Sequence, residues 1–217
     1  MPRQPFPGFI TSVEAQSKTR RHLGQRVNVF VNEKFSFAMD AALANRRGLA
    51  AGRHISSNEL AALLAEDGDA KAYARALHFL GYRIRSAQEI STRLKRDEWP
   101  DDVIERVLAR LIEAKLLDDT QFAAAWVENR TQHRPRGARL LIQELRQKGV
   151  AKETIEAALP VSEEEGENAF VALQPIWRLW EKLEPRERDR KAIEYLQRRG
   201  FAFSVARAAV RRQAESD

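Results

Sequence analysis

Five apolar residues, Ile90, Leu94, Trp99, Ile104 and Leu108, recur 51 positions later as Leu141, Leu145, Val150, Ile155 and Leu159. A further 51 positions on they return as Ala192, Leu196, Phe201, Ala206 and Val210. Residues four apart share one face of a helix, and the steps of five break that phase, so each block reads as helix, tight turn, helix. The turn recurs as well, at Gly149 and Gly200, with Glu98 at the matching place in the first copy. A further helix precedes each block. Its large anchors are Tyr73, Leu77 and Leu80, then Phe122 and Trp126, then Trp177 and Trp180. Phe122 and Trp126 map onto Leu173 and Trp177 at the same spacing. Residues 70–217 are therefore expected to be three copies of a three-helix unit, bounded at 70–118, 119–160 and 161–217. Units this small bury little apolar surface alone, so neighbours are expected to stack into an elongated array.

The front of the chain follows another period. Residues 10–14 alternate, and Arg26-Val27-Asn28-Val29-Phe30-Val31 is rich in β-branched and aromatic residues. Asn32-Glu33-Lys34 makes a tight connection to the alternating run Phe35-Ser36-Phe37-Ala38-Met39. The reading is a small antiparallel sheet. A short helix over Ala41–Arg47 stops at Gly48, and Ser56 with Glu59 has capping-box spacing for another helix through about Glu66. Asp67-Gly68-Asp69 reads as a loop, lacking the remaining ligands of a calcium site. The expected fold class is mostly α: a flexible tail over 1–8, a β-rich segment with short helices over 9–69, then the repeats.

Composition narrows the chemistry. With no cysteine, disulfides and thiolate metal sites are excluded, which fits a reducing, cytoplasmic setting. No apolar run approaches signal-peptide or membrane-span length. His22, His54, His78 and His133 lack metal-ligand spacing, and there is no phosphate-cradling glycine loop or nucleophile elbow. Asp101-Asp102 and Asp118-Asp119 stand at helix starts, where acids complement the dipole and cap exposed N–H groups. No enzyme, cofactor or metal site is expected. The four tryptophans fall in apolar register and read as core.

The cations are less easily explained. The net charge is +6, and the first fifty residues alone hold 8 basic against 3 acidic side chains. Basic excess favours a polyanionic or acidic partner. The stretch RGARLLIQELRQKG (136–149) carries four basic residues against one acid, Glu144. Lys95-Arg96, Arg146 with Lys148, and Arg198-Arg199 close the second helix of each copy, where the dipole favours cations in any protein. Arg83 and Arg85, Arg134 and Arg136, and Arg186 and Arg188 lie near the start of the same helices. There they oppose the dipole and call for exposure or a partner. Arg139 joins Arg136 as a residue that helix electrostatics does not require. Cations recurring along a repeated scaffold suit a target that itself repeats, such as a nucleic-acid backbone or a protein filament.

Three segments, LHFLGYRIRSAQEISTRLKR (77–96), KLLDDTQFAAAWVENR (115–130) and RGARLLIQELRQKGV (136–150), resemble the signatures of the RecX regulatory proteins. The front end is similar in FITSVEAQ (9–16), RVNVFVNEKFSFAMD (26–40) and GLAAG (48–52). The match weakens at EEEGEN (163–168), and Trp99-Pro100 replaces the glycine-hydrophobic turn expected in the first copy. The resemblance implies a non-enzymatic regulator of recombination and DNA repair whose partner is the RecA recombinase filament, with single- or double-stranded DNA as a second contact. It implies no catalytic residues to transfer, and the chain is expected to act as a monomer. The candidate contacts are Arg83, Arg85, Lys95, Arg96, Arg134, Arg136, Arg139, Arg146, Lys148, Arg198 and Arg199. The alternative is a helical protein that binds nucleic acid directly or regulates transcription, since three-helix units can present a recognition helix. An adaptor for another helical assembly is a third reading.

Overall fold

The computed structural model describes residues 4–16 and 25–216, which hold four strands and ten α-helices. Strands β1 (Gly8–Ala15), β2 (Arg26–Val31), β3 (Lys34–Asp40) and β4 (His54–Ile55) form an antiparallel sheet in the order β3-β2-β1-β4. Asn32 and Glu33 turn between β2 and β3 with φ of 47° and 63°, the twist-matched geometry of a two-residue hairpin. Ile10, Val29, Val31, Phe37 and Met39 face a core closed by Leu43, Leu49, Ile55, Leu60 and Leu63. Phe6 is anchored rather than loose. Its N–H donates to Ser36 Oγ at 2.9 Å, and its carbonyl accepts from the same hydroxyl at 2.7 Å. The tail expected over 1–8 thus includes an anchored residue; residues 1–3, like His22, lie outside the described residues.

Helix α1 (Ala41–Arg46) is followed, after β4, by α2 (Ser57–Leu80), and here the sequence reading needs correction. Asp67-Gly68-Asp69 is not a loop. Those residues continue a 24-residue helix capped by Ser56 Oγ. The cause is Asp67, which is 1 % exposed and accepts from both terminal guanidinium nitrogens of Arg26, at 3.2 and 3.1 Å. It also accepts the Asp40 N–H at 2.8 Å and pairs with Lys71 at 2.7 Å. Burial raises the Asp67 pKa, but these partners outweigh it and hold the carboxyl below its ordinary 3.8. One helix therefore covers the sheet with its first half and opens the first repeat with its second. Ala72 and Ala76 are buried there, whereas Leu77 of the expected anchors is exposed.

The first unit is completed by α3 (Ala87–Arg96) and α4 (Asp101–Glu113), the second by α5 (Asp119–His133), α6 (Ala138–Gln147) and α7 (Lys152–Ala158). The third unit comprises α8 (Ser162–Trp177), a short 3-10 turn over Arg178–Trp180, α9 (Pro185–Arg198) and α10 (Phe203–Glu215). Of the fifteen repeat positions, Trp99, Leu108 and Leu159 are half-buried and the other twelve are buried. The turn between second and third helices is the same in all copies, with positive φ at Glu98 (62°), Gly149 (75°) and Gly200 (92°). Each closes with matching bonds: Trp99 N–H to Leu94 C=O, Val150 to Leu145 and Phe201 to Leu196. This is the left-handed helix stop that favours glycine, and Glu98 adopts it without one. The departure at Trp99-Pro100 leaves the turn intact. Asp118 caps α5 through the Thr120 and Gln121 N–H groups, while Asp101 and Asp102 sit in the first turn of α4 without such a cap bond.

The starts of successive second helices carry matching bonds. Ser86 Oγ donates to the Lys148 carbonyl at 2.7 Å, and one repeat later the Gly137 N–H donates to the Arg199 carbonyl at 2.9 Å. Ala87 N–H is received by Asp119 Oδ1 and Ala138 N–H by Glu165 Oε1, both at 2.9 Å. Glu165 belongs to EEEGEN, so the stretch that breaks the repeat still supplies the carboxylate a helix start needs. The contact is tight: a Cβ on Gly149 would lie 2.4 Å from Gln88 Cβ, and one on Gly200 2.5 Å from Leu140 Cβ.

Candidate functional site

The junctions decide which cations are available. Lys148, at the end of α6, bonds Glu89 at 2.7 Å and lies 5.2 Å from the Trp126 ring centre. Arg199, at the end of α9, donates to the Pro135 carbonyl at 3.1 Å and to the Tyr195 hydroxyl. Both belong to the packing of the units.

Arg136 belongs to it too. Glu144 is 9 % exposed, and a carboxylate that dry requires paired donors. It receives the Trp126 indole N–H at 2.8 Å and Arg130 Nε at 3.1 Å, and forms an ion pair with Arg136. Arg130 also lies over the Trp126 ring, 4.3 Å from its centre. Burial, together with the charges of Arg130, Arg199 and Arg134, lowers the Arg136 pKa, and Arg130 and Arg136 share the one carboxylate of Glu144. The partner that Arg136 calls for at its helix start is supplied within the chain. Arg188 is likewise turned inward, 4.3 Å over the Trp177 ring.

Most of the other sequence candidates lie at the surface. Arg83, Arg96, Arg134, Arg139, Arg146 and Arg198 are exposed, and Arg85 is half-buried. Lys95 meets Asp101 at 2.9 Å, but both side chains remain more than half exposed, a geometry worth little in water. Arg134 ends α5, where a cation suits the dipole, and its charge needs no other explanation. At Arg139 the backbone N–H is committed to the Gly200 carbonyl at 3.2 Å while the side chain is exposed. In register, Arg83 matches Arg134 and Lys95 matches Arg146. Sequence reasoning missed Arg130; its signal was the lone acid Glu144 in a basic stretch, with Trp126 and Arg130 one helical turn apart. Among the described residues, no group of three His, Asp or Glu side chains could hold a metal ion, and no helix is long and apolar enough to cross a membrane.

Family models match the chain in four consecutive blocks. They describe residues 8–56 as the RecX N-terminal domain and residues 72–111, 118–159 and 163–210 as the first, second and third RecX three-helix domains. The regulatory protein RecX of Bacillus velezensis is 33% identical over 204 residues, covering 93% of this chain and 76% of that protein. The chain belongs to the RecX family. The RecX of Bacillus subtilis has the same identity and coverage. A crystal structure of a regulatory protein RecX superposes with a TM-score of 0.74 at 29% identity, covering 92% of this chain and 97% of that one. RecX membership accounts for both the β-rich front and the tandem three-helix units.

Proposed function

We propose that this chain binds the RecA recombinase, chiefly its filament on DNA, and restrains recombinase activity by occupancy rather than by chemistry. RecX membership supports the partner. The single observation that carries the site is the division among the cations. Arg136, Lys148 and Arg199 are consumed by internal partners, while Arg134, Arg139, Arg146 and Arg198 are held outward on the second and third units. Exposed guanidiniums suit phosphates and carboxylates, which they bind bidentately.

The test is ATP hydrolysis by the cognate RecA on single-stranded DNA. Wild-type chain lowers the rate; Arg134→Glu, Arg139→Glu and Arg146→Glu combined raise the concentration required by about tenfold or more, in line with the cost of opposing like charges across an interface. No effect of the wild type at saturation removes RecA as the partner. Tight, sequence-dependent duplex binding without RecA would instead favour direct nucleic-acid recognition.

A further inference from the structure

Helix α5 has two unlike sides. At about 100° per residue, Trp126 and Arg130 lie nearly opposite Ala124, Glu128 and Thr131. The latter side borders a groove of about 510 Å3 between α5, the end of α7 and the start of α8. Its floor is apolar: Ala124, Val127, Ala158, Leu159 and Pro160. Just beyond Pro160 stands Val161, 64 % exposed at the N-cap of α8, where a Ser, Thr, Asp or Asn would stabilise the helix. The rim carries Glu128, Glu164 and Glu167.

We propose that this groove receives a cationic side chain and its apolar neighbour from a segment of a partner protein. Charge complementarity selects the occupant. In a chain of net charge +6 the three rim carboxylates form a local negative site, with Arg212 pairing Glu167 from one side at 2.5 Å. Phosphate backbones and anionic lipid surfaces are repelled by it. A bound metal ion does not fit either, because no three carboxylates among the described residues converge on one point. A lysine or arginine fits, since its apolar stem covers the floor while its charged head reaches the rim. The volume lies within the range that suits a few side chains. None of the outward arginines lines the groove, so failure here leaves the recombinase reading untouched.

The experiment titrates the 15N-labelled full chain with the peptide amide Leu-Arg-Leu-Lys and, separately, with Leu-Glu-Leu-Glu. The cationic probe should move the amide signals of Ala124, Glu128, Thr131 and Asn168 in a saturable way. The acidic peptide should bind about tenfold more weakly or not at all. Glu128→Gln with Glu164→Gln, the latter keeping an oxygen for the Val161 N–H, should abolish the response with little change in the circular dichroism melt. Absent shifts, equal shifts with both peptides, or a single-stranded oligonucleotide moving the same signals would overturn the proposal.

Discussion

Gly137 and Phe201 approach so closely that a Cβ on Gly137 would lie 2.2 Å from the Phe201 amide nitrogen. Backbone meets backbone there, and no side chain can step aside. Gly137→Ala should therefore destabilise the protein by about 3 kcal/mol, the upper end of overpacking costs. The internal comparison is Gly166→Ala, within α8, where nothing lies within 4 Å of the added methyl. That change should stabilise by about 0.5–1 kcal/mol. Urea denaturation of the two variants should move the midpoint in opposite directions.

Glu98 holds φ at 62° where the next two copies have glycine. A side chain in that region costs about 1 kcal/mol relative to glycine. Glu98→Gly should raise stability by up to about 0.5 kcal/mol, once the greater freedom of unfolded glycine is subtracted. A lower thermal midpoint for this variant would mean that Glu98 makes a compensating contact.

Removing the Glu144 charge strands two guanidiniums. Arg130 and Arg136 each keep 28 % of their side-chain surface in water, which lessens the penalty of a fully buried broken pair. Glu144→Gln should cost about 2 kcal/mol in urea unfolding. It also changes the acceptor of the Trp126 indole, so tryptophan emission should shift in the native state.

Two aspartates should respond oppositely to acid. Asp67 has its pKa held below 3.8, so its stabilising contribution is complete above that value and is lost as pH falls through the lower folded pKa. Asp119 has its pKa raised, chiefly by burial and also by the Asp118 charge, against the Ala87 N–H. Its linkage favours folding below 3.8 and is lost as pH rises through the higher folded pKa. Asp67→Asn should flatten the fall in stability below pH 3.8, measured by urea unfolding across pH 7 to 2. Asp119→Asn, which keeps an oxygen for Ala87, should cost less at pH 7 than Asp67→Asn.

The repeat was legible because its apolar positions and turns obey one spacing that local physics imposes, and the sheet because alternation and the Asn32-Glu33 turn are local too. What sequence hid was long-range. Asp67-Gly68-Asp69 reads as a loop until Arg26, 41 residues earlier, is seen to hold Asp67 in the helix. Arg136 reads as an unsatisfied cation until Glu144 is folded against it. Arg139 and Arg146 make no such demand on the interior, and both are exposed.

Ser86 and Lys148 are 62 residues apart, as are Gly137 and Arg199. That shared separation makes the unit of permissible change a whole block. A loop lengthened inside the span slides a helix start off the carbonyl it must reach, whereas duplication of a complete 51-residue segment carries donor, acceptor and glycine together. Lengthening this protein is thus a matter of adding whole modules rather than single residues.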